Sequence, residues 1–480
     1  MMKTSKLIDT GIRLPTLAAV IALALAGCAQ VGPDYRIPEN AAVNAPAASG
    51  PFIGATEAPY SSAALPATWW HLYQDGHLDT YVQQAIAANN DLRVAQANLR
   101  RAEAVVQEAS GAALPTIGAT GSTSLGHASG AAAGYKVGLP SRFSYDGGAS
   151  VSYQVDLFGR ISRGIEAAKA DASATQAAYE AARITVVADT VRAYADICSA
   201  NYQAKAAEQQ VALQQQSLDL TKRLSDAGRG TSFDTARSTA QLETLRATLP
   251  TFAAQARIAS YRLAALMGHT PSEAPVVDCA EPPRLTQAIP VGDGAALLRR
   301  RPDIRQAERS LAAATARIGV ATADLYPSVS LGLSAGSAGP ATEFLSSSTY
   351  KWSLGPLISW SLPNTGVARA RIAQAEATGD AGLARFDATV LGALRETESA
   401  LTTYARELDR NAALRAARDQ SAEAARQANL LYSHGRENML TVLDAGRTLA
   451  TADAALAASD SLLSTEQINL FLALGGGWES

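Results

Sequence analysis

The chain has 480 residues, enough for two or three ordinary domains. It carries 41 Lys and Arg against 44 Asp and Glu, a net charge of −3, which excludes the basic excess that a nucleic-acid binder displays. Charged residues make up only 18%, and much of the 47% hydrophobic fraction is alanine, with 8 Phe, 4 Met and 5 Trp, so closely packed Ala-rich helices fit the composition better than a thick compact core.

Residues 1–27 read as an export signal. Lys3, Lys6 and Arg13 precede a short apolar run, Leu17 to Ala26, which is too short to span a bilayer. The run ends in Leu25-Ala26-Gly27-Cys28, which resembles the lipobox of bacterial lipoproteins. The resemblance implies cleavage between Gly27 and Cys28 and lipidation of Cys28, and Ala29 in place of Asp implies passage on to the outer membrane. Residues 28–68 are rich in Pro, Ala, Gly and Ser without periodicity, and are expected to form a lipidated tether, with the fold starting at Trp69-Trp70. No apolar run of about 18 residues follows Cys28, so any membrane crossing must use strands.

A first repeat is expected over 69–270. It opens with helices, then a weakly alternating strand at about 113–125 and a clearer one at about 148–158, where Val151, Tyr153, Val155 and Leu157 oppose Ser152, Gln154 and Asp156. From 163 to 226 there is no Pro and Gly164 is the only Gly, so a helix of roughly 95 Å is expected, at 1.5 Å per residue. Gly228-Arg229-Gly230 turns the chain, and Ser232 is placed to cap a returning helix. An inter-repeat, equatorial segment follows over 271–300. Its Arg299-Arg300-Arg301 run reads as the end of a short helix before Pro302 opens the next.

The second repeat, 301–472, carries the clearest strands, at about 326–336 and 350–362. Pro327, Val329, Leu331, Leu333 and Ala335 alternate with Ser328, Ser330, Gly332 and Ser334. Trp352, Leu354, Ile358, Trp360 and Leu362 likewise oppose Ser353, Gly355, Ser359 and Ser361. A long helix over about 367–434 turns at His434-Gly435-Arg436, and Val442, Leu449, Leu456, Leu463 and Leu470 then fall seven apart, a coiled-coil seam. Residues 473–480 form a C-terminal tail. The repeats are visible as matches: Asp91, Arg93, Leu99 and Pro115 recur 212 residues later as Asp303, Arg305, Leu311 and Pro327, and Asp234-x-x-Arg237-Ser238 recurs at a shift of 210 as Asp444-x-x-Arg447-Thr448.

Such alternation suits a membrane strand or a half-buried soluble sheet. Trp and Tyr on the apolar face favour a lipid interface. Four strands cannot close a barrel in lipid, because an open edge leaves backbone groups unpaired, so copies must share one. Two copies or three both remain open on these grounds. Cys198 and Cys279 could pair in an exported protein, but Cys198 continues an apolar stripe of Ile184, Val187, Val191 and Tyr194, so a buried small hydrophobe, and with it two free thiols, is the favoured expectation.

The chain resembles the TolC/NodT family of outer-membrane efflux lipoproteins. The resemblance rests on Cys28-Ala-Gln-Val-Gly-Pro-Asp-Tyr35, Trp69-Trp70, Asp156-Leu-Phe-Gly-Arg160, Leu297-Leu-Arg-Arg-Arg-Pro-Asp-Ile304, Ile318-Gly-Val-Ala321 running to Tyr326-Pro-Ser328, Val442-Leu-Asp-Ala445 and Gly475-Gly-Gly-Trp478. It implies a mainly α fold with membrane β: four barrel strands per chain, a twelve-stranded barrel in a homotrimer, and a coiled-coil α-helical barrel in the periplasm. It further implies a passive exit channel for small toxic compounds, drugs or metal ions. The expected partners are outer-membrane lipid, a periplasmic membrane-fusion adaptor protein and an inner-membrane pump of the RND type. On the matching motif, Leu440 and Asp444 would line a periplasmic gate as an apolar ring and an anionic ring. Where many relatives have Pro-Leu-Phe-Asp-Gly-Gly, this chain has Ser359-Trp-Ser-Leu-Pro-Asn-Thr-Gly366, an altered turn.

An enzyme is not expected. His71, His77, His127, His269 and His434 form no metal-type pair, and phosphate-loop, Gly-x-Ser-x-Gly and dinucleotide motifs are missing, so neither cofactor nor metal is foreseen. A lipid-anchored coiled-coil scaffold without a pore explains the heptads but not the strands. A duct for type I protein secretion would share the fold and differ in cargo.

Overall fold

The computed structural model describes residues 30–56, 60–127, 129, 131, 134, 136–138, 140–285, 287–360 and 365–476. The expected signal over 1–27, Gly27 and Cys28 themselves, the core of the altered turn at 361–364 and the end of the tail at 477–480 lie outside the described residues.

The elements in chain order are β1 (Tyr60–Ser61), α1 (Gly76–Ala88), α2 (Asn90–Gly111), β2 (Thr116–Gly126), β3 (Arg142–Val155), α3 (Arg160–Asp226), α4 (Ser232–Arg246), α5 (Leu249–Leu266), β4 (Ile289–Pro290), α6 (Gly294–Arg300), α7 (Pro302–Ala323), β5 (Ser328–Pro340), β6 (Tyr350–Ser359), α8 (Thr365–Ser433) and α9 (Met439–Ala473), with short 3₁₀ turns between them. The duplication is geometric as well as sequential. Helices α2 and α7 are both 22 residues long and start 212 positions apart, and α3 and α8 have 67 and 69 residues. Arg299 and Arg300 end α6 and Pro302 opens α7, as their order requires.

The chain divides into two compact units. One takes the segment ending at Ile37, Arg100–Ala174 and Ala307–Arg385; the other takes Pro38–Leu99, Thr175–Gln306 and Phe386 onward. In the first, a four-stranded antiparallel sheet has the order β2-β3-β5-β6. Two strands outrun their expected limits: β3 begins at Arg142 rather than 148, and β5 continues to Pro340 rather than 336. Gly147, Gly148, Gly336 and Gly339 break the hydrophobic alternation there, but backbone pairing does not depend on side chains, and Asp146 still pairs with Ser122 and Ala338.

In the second unit the core gathers around Trp69, which stacks on Phe471 at 4.6 Å and is 1% exposed. Leu78, Val82, Val187, Val191, Leu401, Leu463 and Leu470 complete it. The return helix of the first hairpin is split in two at Ala247–Thr248, where Pro250 falls in the first turn of α5 and has no N–H with which to continue the hydrogen bonding of α4.

Three expectations need correction. The cap of α4 is Thr231, not Ser232: its hydroxyl accepts from the Asp234 N–H while the Asp234 carboxylate accepts from the Thr231 N–H, a reciprocal capping box. Cys198 and Cys279 are not free thiols but a disulfide with Cα atoms 5.2 Å apart. An apolar stripe predicts burial of Cys198 and says nothing of what the non-periodic segment over it contributes. The fold does not start at Trp69-Trp70 either, because the described part of the expected tether already packs. Packing begins at Val31, and Ala41, Ala48, Phe52 and Leu65 are buried well before Trp69. Lack of periodicity marks only the absence of long helices and strands; short 3₁₀ turns and the two-residue β1 are all this segment forms among the described residues. This segment is held by backbone donors instead: the Ala42 N–H on Asp387, and the Ile53 and Gly54 N–H groups on Glu398.

Candidate functional site

Register sorts the sheet into two unlike faces. On one, Ile117, Val151, Leu333 and Leu354 form a continuous row across all four strands, flanked by Tyr153-Leu331-Pro356 and Ala149-Ala335-Trp352. These side chains are exposed: Ile117 80%, Trp352 78%, Leu354 70% and Ile358 66%. A soluble protein would not present so broad an apolar face to water. The opposite face reads Gly118-Ser150-Ser334-Ser353 and Thr116-Ser152-Gly332-Gly355, small and polar, with Leu357 opposite Ser330 as its apolar exception. Its charges include the ion pair Asp146–Lys351. Trp352 and Trp360 sit near opposite ends of the last strand. Eight residues of strand tilted near 40° separate them by about 21 Å, close to the apolar band of a bacterial barrel.

The passage from strand to helix is built by the Asp156–Arg160 motif. Both Asp156 carboxylate oxygens accept from the first turn of α3, from Ile161 N–H at 3.0 Å and Ser162 N–H at 2.8 Å, and Ser162 Oγ adds a third donor at 2.6 Å. Arg160 then pairs with Asp324 at 3.3 Å and Phe158 stacks on Tyr326 at 4.5 Å, so the two halves of the duplication meet at this junction. The Arg301-Pro302-Asp303 motif works likewise in the helical unit: Arg301 holds Asp303 at 2.7 Å, Glu396 at 3.0 Å and the Ala473 carbonyl at 2.9 Å.

The Val31-Gly32-Pro33-Asp34-Tyr35 stretch is seated on the strand unit. Arg163, only 2% exposed, donates to Asp34 at 2.6 Å, Glu166 at 2.8 Å and the Val31 and Gly32 carbonyls at 3.4 Å. Gly32 has φ +87°, and a Cβ there would overlap the Gly319 backbone, which is why glycine stands at this point of the motif. Tyr35 donates to Glu308, and burial together with that carboxylate pushes its phenol up to about 12. Nothing in the sequence marks Arg163 as buried, since arginine is rarely enclosed; the one signal is its place one turn after Gly159-Arg160.

At the hairpin ends the repeats diverge. Gly228 and Gly435 turn the chain at φ +70° and +69°. In the first hairpin Asp234 is consumed by the capping box. In the second, Asn438 caps α9, accepting from the Thr441 N–H at 3.0 Å, so the helix starts one turn earlier relative to the repeated motif. Asp444, the counterpart of Asp234, is thereby released from capping. Met439 and Val442 pack inward against Ala428, which leaves Leu440 (53% exposed) and Asp444 on the outer face of the helix one turn apart. Asp444 pairs with Arg447 at 2.7 Å. Nearby, the Asn438 N–H and the Thr441 hydroxyl hold the Glu437 carboxyl below its ordinary range.

The profile of the outer membrane efflux protein family matches residues 81–269 and 295–476. The chain is similar to the probable efflux pump outer membrane protein TtgC of Pseudomonas putida, 31% identical over 469 residues that cover 96% of this chain and 95% of the relative. It is also similar to the outer membrane protein OprJ of Pseudomonas aeruginosa, 30% identical over 473 residues, covering 96% and 95%. Among solved structures, the outer-membrane channel OprN superposes with a TM-score of 0.87 at 36% identity, covering 93% of this chain and 99% of that one.

Proposed function

The chain belongs to the outer membrane efflux protein family and is an outer-membrane efflux channel with the TolC-like fold, and from that premise we propose how it is built and closed. Three copies complete one barrel of twelve strands around the small polar face of each sheet. The apolar rows meet lipid. The carrying observation is the sheet itself: among the described residues its order leaves β2 and β6 as open edges while one face carries exposed apolar rows across all four strands, a state that lipid tolerates only if neighbouring copies pair those edges.

The channel works within an efflux system that also has an adaptor and an inner-membrane pump. The finer reading is a periplasmic membrane-fusion adaptor, an RND-type pump that supplies the energy, Cys28 as the lipidated residue after cleavage at Gly27, and small toxic compounds as cargo; the name of the Pseudomonas putida relative, an efflux pump component, supports the last. The chain itself performs no chemistry in this reading. Leu440 and Asp444 form the periplasmic gate. Their exposure on one face of α9 and the release of Asp444 from capping support it. Three such carboxylates around an axis would favour cations and repel one another.

The test is to extract the protein from outer membranes, measure the mass of the detergent-solubilised particle and record it in planar bilayers. Trimers with discrete conductance steps are expected. Monomers that leave liposomes impermeable to ions would sink the proposal.

A further inference from the structure

Besides its leucine seam, α9 carries a second heptad row that is polar: Asp453, Asp460 and Gln467. Each faces a residue of α8 at matching spacing. Arg418 Nε donates to Asp453 at 2.8 Å, Asn411 Nδ2 to Asp460 at 2.7 Å, and Gln467 Nε2 to the Tyr404 hydroxyl at 2.8 Å. Helix α3 braces the same rungs through Gln210 on Asp453 and the Tyr202 hydroxyl on Asp460 at 3.0 Å. Polar residues at such positions weaken a coiled coil but specify its register.

The middle rung holds the critical group. Asp460 is 2% exposed. Of its cationic partners, Arg415 stands off at 3.4 Å and is half exposed, whereas Arg284 makes the closer ion pair. Arg284 comes from the irregular segment between the repeats. That segment is fastened to α3 by the Cys198–Cys279 bond and by Asn201, whose Nδ2 donates to the Cys279 carbonyl at 3.3 Å. Cys198 and Tyr202 lie one turn apart on α3, so the covalent fastening and the buried carboxylate share one helical face.

We propose that the Cys198–Cys279 bridge and Arg284 form a clasp that locks α9 in its resting register between α3 and α8, so that opening the bridge loosens the helix that carries Leu440 and Asp444. The inference rests on the channel reading above, since it is read out as conduction, but not on Leu440 and Asp444 being the residues that form the constriction.

The bridge is opened in assembled channels with dithiothreitol. Two electrons and two protons pass to the bridge, leaving two cysteine thiols and a cyclic disulfide on the reagent; maleimide labelling counts the thiols. Resting current in bilayers is compared for the native channel before and after reduction, the Cys198→Ser/Cys279→Ser pair, and Arg284→Gln with its bridge intact. Each is expected to raise the resting open fraction on the order of ten-fold, and reduction of Arg284→Gln is expected to add little, because both changes act on one carboxylate. Full reduction without a change in current overturns the clasp, as does a leak on reduction that Arg284→Gln does not reproduce. If the double serine variant fails to assemble, the reduced native channel and Arg284→Gln carry the test. Asp444→Ala is recorded alongside. Silence there with leaking clasp variants removes the gate reading and leaves the clasp, and the reverse pattern removes the clasp.

Discussion

At the scale of single residues, the buried positive charge at Arg163 makes the N-terminal stretch part of the fold. Asp34 is largely exposed, so solvent screens its pairing, but it is one of two carboxylates that answer a guanidinium closed off from water. Asp34→Ala is expected to cost about 1–3 kcal/mol of local stability and to make the segment between 30 and 56 cleavable by added protease, while the sheet stays protected; an unchanged digestion pattern would show that Arg163 does not need Asp34. Asp444 is the opposite case. Its one close ion pair, with Arg447, is exposed and weak, so Asp444→Ala is expected to leave the melting temperature within error yet raise resting conductance in bilayers. Sequence showed Asp234 and Asp444 as equivalents. What separated them was the choice of Asn438 over a later residue as cap, a one-turn difference that no spacing rule registers.

Among elements, the long helices were legible because no Pro falls in 163–226 or in 367–434, and both are observed slightly longer than expected. Helix ends were less so. Thr231 and Ser232 are both acceptable caps by type, and only the reciprocal bond to Asp234 decides between them. Thr231→Ala should therefore lower stability by about 1 kcal/mol, read as a drop in melting temperature that Ser232→Ala does not produce. The strands were legible where large apolar residues alternate and illegible where glycine takes their place. Their faces predict unequal tolerance. Leu354→Arg puts charge on the lipid-facing row at a cost of about 2–4 kcal/mol and is expected to abolish trimers in outer-membrane fractions. Ser353→Arg, one residue away on the lumen face, should assemble normally and reduce conductance; equal behaviour of the two would mean that the faces are assigned wrongly.

For the whole molecule, the duplicated plan could be read from the residue matches at shifts of 212 and 210, and the structure repeats it in α2 and α7 and in α3 and α8. The seating of the leader could not. Its contacts run to Glu308, Asp387 and Glu398, hundreds of positions away, and leave no local period. Attachment along Val31–Leu65 also bears on lipidation. With so much of the segment held by the fold, Cys28→Ser should lose its acyl chains, seen as a mass shift, yet still deliver trimers to the outer membrane. Loss of all membrane association in that variant would argue that the strands do not insert.

The pairing of β3 with β5 has a consequence for time rather than for architecture. Val155 and Val329 face each other across that seam, yet the ribosome makes the entire first hairpin between them. The earlier pair of strands must therefore wait, apolar face bare, in an aqueous compartment until the later pair has been exported. Contacts so distant along the chain form slowly. During that interval the nascent half carries an unpaired edge beside bare apolar surface, the two features that most expose a part-made chain to wrong pairing.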